Sequence, residues 1–315
     1  MVVLAATLTA GAWEGPAAGN ASAKCTKTLT AGHSLNRFVR RLHAGEIGCL
    51  RGTFHQDLTI RRSGFHLKSA PGRRARIDGV VYFARTAHDV VLSRLVLRDT
   101  GGPSVRINGT AITIRRSDIS NRHTGICVSV GGAFERWGIA VGVTLAQNRI
   151  HDCGRLPATN HDHGIYVEGS RATTIRGNLI YDNADRGVQL YPDAQGTIVV
   201  NNVIDGNGEG VIFAGESAGG EYRRSYASSG NLVTRNIISN SSERHNVESW
   251  WGGPIGIANV VRDNCLWNGA QGNLDLSAGG FLAIGNRIAQ PGFVDRAAKD
   301  FRLRPGSPCA GMGPH

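Results

Sequence analysis

Gly164-Ile165-Tyr166-Val167 is followed by Gly187-Val188-Gln189-Leu190 and by Gly210-Val211-Ile212-Phe213, and the three stretches begin 23 residues apart. A related stretch, Gly125-Ile126-Cys127-Val128, begins 39 residues before the first, which corresponds to one repeat plus an insertion. Self-similarity at a fixed period of roughly 20 to 50 residues is typical of repeat proteins, in which each unit packs on its neighbours. The pattern therefore predicts a solenoid.

A second series supports the same interpretation, because an Asn two residues before an aliphatic residue recurs six times. Its members are Asn148-Arg149-Ile150, Asn178-Leu179-Ile180, Asn202-Val203-Ile204, Asn236-Ile237-Ile238, Asn264-Cys265-Leu266 and Asn286-Arg287-Ile288. Short β-branched runs such as Thr197-Ile198-Val199-Val200 lie between turn-forming Asn, Asp and Gly residues. Repeats of this length without helices predict an all-β, parallel β-helix, in which Ile, Val and Leu stack inward and Asn side chains hydrogen-bond along the axis. A leucine-rich repeat would need a Leu pattern that is absent, and a propeller would need repeats of about 40 residues.

The N-terminal region predicts a short capping helix. Leu35, Phe38, Val39 and Leu42 recur at the spacing of one helix face. A cap is expected there because an uncovered first coil would expose strand edges. We predict a signal peptide at 1–23, a cap at 24–49, the β-helix domain at 50–311 and a tail at 312–315.

Composition restricts the partner of the protein. The 315 residues contain 35 Lys and Arg against 24 Asp and Glu, a net charge of +11, which favours polyanions such as nucleic acid, anionic membrane or acidic polysaccharide. Arg61-Arg62 and Arg73-Arg74 lie far along the chain from the candidate site residues described below, so part of this charge is general surface. No nucleic-acid recognition motif is present, and apart from the N-terminus no long apolar stretch predicts stable membrane insertion. We expect an acidic polysaccharide as partner, no nucleic acid, and a monomer.

Export is predicted from the first residues and from the cysteines. Residues 2–13 are apolar, and Ala21-Ser22-Ala23 fits signal-peptidase cleavage before Lys24, so we predict a secreted protein. Six cysteines suit disulfides in an exported chain. Six cysteines allow 15 pairings, and proximity along the chain favours one of them. The pairs are Cys25–Cys49 beside the helix, Cys127–Cys153 across one coil, and Cys265–Cys309 at the C-terminus.

Both ends of the repeat region resemble a known family. Leu67-Lys68-Ser69-Ala70-Pro71-Gly72, followed by Ala75-Arg76-Ile77-Asp78-Gly79, resembles the entry coil of right-handed parallel β-helix proteins of the pectate-lyase-like superfamily. Pro291-Gly292-Phe293-Val294-Asp295, Asp300-Phe301-Arg302-Leu303 and Gly306–Gly311 are similar to the closing segment of bacterial members. The resemblance covers roughly residues 45–311. It implies a right-handed helix and one of four roles: polysaccharide lyase, uronan epimerase, glycoside hydrolase or non-enzymatic surface protein.

The alternation of side chains along strands predicts where the chemistry lies. If Ile165 and Val167 point into the core, Tyr166 and Glu168 point outward, and stacked coils bring such groups to about 5 Å from one another. The catalytic candidates on this face are His163, Tyr166, Glu168, Arg186 and Glu209. The candidates for substrate binding on the same face are His161, Gln189, Tyr191 and Glu216.

Insertions interrupt the repeat at 131–138, 154–163, 214–230 and 241–254, and long insertions on a solenoid gather on the binding face. They carry aromatic rings, which stack on sugars, and arginines, which pair with carboxylates. The further binding candidates are Arg223, Arg224, Trp250 and Trp251. For the two tryptophans, packing of the loop against the solenoid is the competing interpretation. Trp137, Tyr222, Tyr226, Arg244 and His245 lie in the same insertions.

Three chemistries compete for this face. In β-elimination, His163 or Tyr166 removes the C5 proton of a uronic acid, the other protonates the leaving oxygen, and Arg186 neutralises the substrate carboxylate. Return of the proton to the opposite face would give an epimerase instead, but no clear Asp-Pro-His motif is present. In hydrolysis, Glu168 and Glu209 act as acid and base.

The third possibility is a metal site at His161, Asp162 and His163, although a His-Asp-His loop is weak evidence for zinc. Calcium is the other cation considered, because acidic lyases often use it, but no carboxylate-rich loop appears. We expect no certain cofactor. The sequence predicts a lyase first, with a hydrolase, an epimerase or a non-catalytic carbohydrate-binding protein as alternatives.

Overall fold

The computed structural model describes residues 24–132, 138–219 and 222–314, and these residues form one helix and 33 strands. Each coil contributes up to three strands, and equivalent strands of successive coils pair in parallel into three ladders. The predicted signal peptide at 1–23, Trp137 and His315 lie outside the described residues.

The first ladder contains the strands that carry the repeat glycines. Its members are β4 (Leu58–Ile60), β7 (Val81–Phe83), β10 (Val105–Ile107), β13 (Val128–Gly131), β17 (Ile165–Arg171), β20 (Arg186–Gln195), β23 (Glu209–Glu216) and β27 (Val247–Gly252).

The second ladder follows the first within each coil. Its members are β1 (Lys27–Thr30), β2 (Ile47–Arg51), β5 (His66–Ser69), β8 (His88–Ser93), β11 (Thr110–Arg115), β15 (Thr144–Ala146), β18 (Thr174–Arg176), β21 (Ile198–Val200), β25 (Leu232–Thr234), β28 (Asn259–Arg262) and β30 (Phe281–Ile284).

The third ladder closes each coil. Its members are β3 (Thr53–Phe54), β6 (Arg76–Asp78), β9 (Val96–Arg98), β12 (Asp118–Ser120), β16 (Arg149–His151), β19 (Leu179–Tyr181), β22 (Val203–Asp205), β26 (Ile237–Ser239), β29 (Cys265–Trp267) and β31 (Arg287–Ile288). The remaining strands are β14 (Ala140–Val141), β24 (Tyr226–Ala227) and the antiparallel pair β32 (Phe293–Asp295) and β33 (Asp300–Leu303). The architecture is the predicted right-handed parallel β-helix.

The core is a stack of inward aliphatic side chains in strict register. In the first ladder Ile165 pairs with Val188 and Val188 with Val211, and all three side chains are completely buried. The repeat glycines lie where neighbouring coils touch: a Cβ on Gly187 would come 2.9 Å from the carbonyl oxygen of Gly210. Glycine recurs at this position because no side chain fits between the coils.

The predicted asparagine series forms a buried hydrogen-bonded ladder along the axis. The Nδ2 group of Asn178 donates to Oδ1 of Asn202 at 2.9 Å, and Asn202 donates in the same way to Asn236 at 2.9 Å. The same bond links Asn148 to Asn178, Asn236 to Asn264 and Asn264 to Asn286. Each Oδ1 also accepts a backbone N–H, so the ladder satisfies turn backbone that the sheets do not reach.

The helix α1 (Leu35–Arg40) covers the N-terminal end, as predicted. Ser34 caps it by accepting the N–H of Arg37, and Leu35 and Val39 are buried against the first coils. The three predicted cysteine pairs, Cys25–Cys49, Cys127–Cys153 and Cys265–Cys309, are all bonded. In the part of the chain that the structure describes, no helix has the length and apolar character needed to cross a bilayer.

Candidate active site on the first ladder

Register brings the predicted face together in two neighbouring rows. In the outward row Tyr166 pairs with Gln189, Gln189 with Ile212, and Ile212 with Glu248.

In the second row Arg186 pairs with Glu209. The N–H of Gly164 donates to the carbonyl of Arg186, which places His163 beside Arg186 one coil earlier. His163, Arg186 and Glu209 therefore line up along the axis, as the repeat spacing predicts.

A cavity of about 310 Å³ opens over these rows. Its walls are Asn160, His161, Arg186, Gln189, Tyr191, Ile212, Ala214, Glu216, Arg244 and Trp250. Six of the predicted site residues are among them: His161, Arg186, Gln189, Tyr191, Glu216 and Trp250. The cavity thus joins the first ladder to the insertions at 154–163, 214–230 and 241–254.

Arg186 is held in place by the protein itself. Its Nε donates to Oε2 of Glu209 at 2.9 Å, and its two terminal nitrogens donate to the carbonyl and to Oδ1 of Asn160. These bonds use three of the five guanidinium N–H groups and leave two for a ligand. Arg186 therefore serves partly to position the loop that bears Asn160, in addition to its predicted contact with a substrate carboxylate.

Glu209 lies beneath Arg186 and is almost completely buried. Burial raises the pKa of its carboxyl group to about 7; Arg186 opposes this shift and the nearby carboxylate of Glu248 adds to it. Glu209 does not line the cavity, so the predicted hydrolytic role has no direct path to a bound sugar in this arrangement.

His163 is also buried, with 2% of its surface exposed, and lies edge-on to the ring of Tyr166 at 5.4 Å between centroids. Burial lowers the pKa of His163 well below its usual value, and the charge of Arg186 acts in the same direction. The imidazole is therefore neutral at ordinary pH, but it lies below the cavity instead of on its wall. This position differs from the exposed base that the sequence predicts, because the ring of Tyr166 and the side chain of Arg186 lie beside the imidazole.

Two stacked phenols lie between the buried layer and the cavity. The rings of Tyr166 and Tyr191 are 6.3 Å apart and nearly parallel, and the hydroxyl of Tyr191 donates to Oε2 of Glu216 at 2.8 Å. Burial is the main cause that raises the pKa of Tyr166 and of Tyr191 well above the usual value, so both phenols remain protonated. Tyr191 thus presents a protonated phenol on the cavity wall, hydrogen-bonded to Glu216.

Glu168 lies at a β-bulge in strand β17, where the register shifts between Val167 and Gly169. Its side chain is buried and does not line the cavity, although its charge contributes to the raised pKa of Tyr166. Neither Glu168 nor Glu209, the predicted hydrolytic pair, reaches the cavity wall.

Of the four binding candidates predicted in the insertions, Trp250 lies on the cavity wall and the other three do not. Trp250 is 50% exposed on the wall, with its ring 6.5 Å from that of Tyr191. Trp251 packs against the core and donates its indole N–H to the carbonyl of Gly279 at 3.2 Å, so it anchors the loop instead of contacting substrate. Arg223 and Arg224 are exposed and lie off the wall, Arg224 over the ring of Tyr226 at 5.1 Å.

Sequence reasoning missed Glu248, Asn160 and the structural role of Asp185. Glu248 binds Arg244 at 2.7 Å and Nδ1 of His245 at 2.9 Å, but its repeat reads Asn246-Val247-Glu248 without the glycine that marks the others. Its place in the row follows from the pairing of Val247 with Val211, which puts Glu248 beside Ile212.

Asp185 fixes the loop that forms one wall of the cavity. Its carboxylate accepts the consecutive backbone N–H groups of Asn160, His161 and Asp162 at 2.8, 2.9 and 2.7 Å. Asp162 in turn forms an ion pair with Arg155, so its carboxylate is bonded within the loop.

Among the described residues, no group of three or more His, Cys, Asp or Glu side chains could hold a metal ion. The expectation of no certain cofactor, with calcium as the cation considered, stays a prediction.

Buried polar atoms without a partner concentrate on this face. Of ten such side-chain atoms among the described residues, five belong to it: Ser129 Oγ, His163 Nδ1, Gln189 Oε1, Glu209 Oε1 and Arg244 Nε. An unpaired buried polar atom costs free energy, and such atoms are tolerated where water or a ligand completes the bonding. Of the five, Gln189 Oε1 and Arg244 Nε belong to residues of the cavity wall.

Comparisons with known proteins agree with this fold. The chain resembles the pectate lyase Pel9A, with 12% identity over 91% of each chain and a TM-score of 0.58. It also resembles an alginate lyase from Paenibacillus sp. str. FPU-7, with 14% identity over 84% of this chain and 100% of the other and a TM-score of 0.53. No curated protein sequence matches it. The family model described as a right-handed beta helix region matches residues 78–288, more than half of the chain, and the protein therefore belongs to the right-handed β-helix family.

Proposed function

We propose that this protein cleaves an acidic polysaccharide by β-elimination at a uronic acid bound in the cavity. The observation that carries the proposal is the combination on one wall of two guanidinium groups, a protonated phenol and an exposed indole, contributed by Arg186, Arg244, Tyr191 and Trp250. Cations neutralise a uronate carboxylate, and an indole face stacks on a pyranose ring.

The elimination needs a base, an acid and a charge partner for the carboxylate. Arg244 and the two remaining N–H groups of Arg186 bind the carboxylate and thereby acidify the C5 proton. The exposed imidazole of His161 removes that proton, the electron pair forms the C4–C5 double bond, and the C4–O bond breaks. Tyr191 donates its phenolic proton to the leaving oxygen. His163 and Tyr166, the acid–base pair predicted from the sequence, lie behind this wall and hold Tyr191 in place.

The fold and the disulfides are compatible with the proposal. The solved structures that share the fold include a pectate lyase and an alginate lyase, although at 12% and 14% identity they bear on the fold alone. Three disulfides suit an oxidising environment, and polymeric acidic glycans are encountered outside the cell, so we propose that the protein is secreted.

The test is incubation of the protein with pectate, alginate and glycosaminoglycans while the ultraviolet absorbance of unsaturated uronate is followed. We expect absorbance to rise with one of these polymers and to stay constant after His161→Ala. New reducing ends without absorbance would show hydrolysis and would overturn the proposed elimination. Retention of glycan without any cleavage would identify a non-catalytic binding protein.

A hydrolase is the second candidate, favoured by the raised pKa of Glu209, because a carboxyl group that is protonated near neutral pH is suited to act as a general acid. This candidate requires the Arg186–Glu209 ion pair to open so that the carboxyl group reaches the cavity. The variant Glu209→Gln distinguishes the two candidate functions. It should abolish hydrolysis, whereas elimination should remain measurable.

A further inference from the structure

A second, larger cavity of about 620 Å³ lies on another side of the solenoid and shares no lining residue with the candidate active site. It is bounded by the turns between the second and third ladders and by the C-terminal segment. Five of its lining residues are basic, Arg116, Arg149, Arg176, Lys299 and Arg302, and one is acidic, Asp300.

Three of the five cations lie within 4 Å of an acidic side chain of the protein. Lys299 binds Asp182 at 2.6 Å and Arg302 binds Asp300 at 2.5 Å. Arg149 donates to the hydroxyl of Tyr181 and lies 3.9 Å from Asp118. These groups contribute little net charge to the cavity.

Arg116 and Arg176 are different. Both side chains are exposed, and within the described ranges 24–132, 138–219 and 222–314 neither forms an ion pair with an acid. Arg116 donates only to the neutral Oε1 of Gln147, at 3.0 Å. Arg115 lies beside them, and after burial the charges of Arg116 and Arg176 are the main causes that lower its pKa. Three like charges therefore lie together, and within the described part of the chain none of them forms an ion pair with an acid.

The remaining lining residues suit a sugar. Asn201 is part of the lining, and its Oδ1 atom is buried and has no hydrogen-bond partner within the described residues. Leu179 and Pro314 add an apolar surface. Hydroxyl donors, apolar ring faces and anionic substituents occur together on an acidic glycan.

The geometry points to a second binding site in this cavity, which holds the carboxylate or sulfate groups of an acidic oligosaccharide through Arg116 and Arg176. This site goes beyond the proposed cleavage, and it can exist even if the cleavage proposal fails. Such a site would retain a polymer on the protein while a different segment lies over the first ladder.

The experiment compares two double variants that remove the same charge. Arg116→Ala/Arg176→Ala alters the cavity, whereas Arg73→Ala/Arg74→Ala removes two exposed arginines from a distant loop. Binding of tetragalacturonate and of a heparin-derived tetrasaccharide is measured by titration calorimetry, and unfolding temperatures confirm that both variants fold.

We expect the cavity variant to lose about tenfold or more in affinity for at least one tetrasaccharide, since each lost bond to a charged group is costly. The loop variant should bind as the wild type does. Equal losses in both variants would show general charge attraction, and no loss in either would leave the cavity without this role; both results overturn the inference. Tighter binding of a single-stranded oligonucleotide, lost in the cavity variant alone, would assign the cavity to nucleic acid and would also overturn it. Because binding is measured directly, absence of cleavage does not affect the outcome.

Discussion

At the scale of single residues, the candidate active site consists of two layers. Side chains of one layer line the cavity, and side chains of the other layer lie behind that wall. Tyr191, Arg244 and Trp250 lie on the cavity wall, whereas His163 and Glu209 lie beneath it. The pKa directions follow the same division, because burial keeps His163 neutral and raises the pKa of Glu209 to about 7.

We predict that Tyr191→Phe reduces kcat by about 10² to 10⁴, because it removes the proposed proton donor but keeps the ring. KM and the unfolding temperature should remain close to those of the wild type. Steady-state kinetics on the polymer that the protein cleaves provide the measurement. Tyr82→Phe is the matched control, since Tyr82 lies in the same outward row three coils before Tyr166. Equal activity of the Tyr191 variant and the wild type would remove Tyr191 from the mechanism.

We predict a distinct pH dependence of stability from Glu209. Its pKa is about 7 in the folded protein against 4.5 for an ordinary glutamate, so the folded state binds more protons between these values. Stability from this group is therefore present at low pH and is lost as the pH rises through that window. The free energy of unfolding of the wild type, relative to Glu209→Gln, should fall by about 2 to 4 kcal/mol from pH 4.5 to pH 8.

Urea unfolding at a series of pH values measures this difference. Glu243→Gln serves as control, because Glu243 is exposed on the loop that precedes the same ladder. Its difference from the wild type should stay constant with pH. A constant difference for the Glu209 variant would contradict the raised pKa.

At the scale of elements, stacking between coils is the source of both stability and alignment. The strands pair in register, and the asparagine ladder satisfies the turns between them. The carboxylate of Asp185 fixes the inserted loop through three backbone amides, so the loop that carries His161 is held as firmly as the coil below it.

We predict that Asn202→Ala lowers the free energy of unfolding by at least about 2 kcal/mol, because it leaves buried amide donors of Asn178 without an acceptor. Chemical denaturation measures the loss. Asn286→Ala at the end of the ladder should cost less, since Asn286 is only partly buried and serves one neighbour, Asn264. Equal losses at the two positions would mean that the ladder does not act as a continuous buried element.

At the scale of the whole molecule, the fold is a single winding whose ends and middle are each tied by a disulfide. Cys25–Cys49 joins the first two strands beside the cap, and Cys265–Cys309 joins the last coils to the closing segment. Cys127–Cys153 joins adjacent coils next to the inserted loop that borders the candidate active site. The two cavities on this winding share no lining residue.

We predict that Cys127→Ala/Cys153→Ala lowers the free energy of unfolding by about 3 kcal/mol, the value expected for a loop of this length. Activity should fall as well, because the carbonyl of Cys153 accepts the N–H of Ala184 beside the Asp185 clamp. Denaturation and activity assays at the same temperature measure the two effects. Cys25→Ala/Cys49→Ala should destabilise the chain and leave the activity of the folded fraction unchanged, so equal loss of activity in both variants would contradict the local role.

Much of this molecule was predictable from the sequence because its structure is periodic. The repeat of 23 residues determines the length of a coil and the face on which Tyr166, Gln189 and Tyr191 lie, since each residue contacts its counterpart one repeat away. The recurring Asn and Gly determine the chemistry of the turns. The insertions have no counterpart, so their course depends on contacts with distant residues. Only the tertiary structure decided that His163 is buried and that Trp251 packs inward while Trp250 faces the cavity. It also decided that Glu248 completes the outward row and that Arg116 and Arg176 line a cavity together with the C-terminal segment. Periodic contacts can be read from spacing alone, whereas these arrangements arise from side chains that meet once and leave no repeated signal.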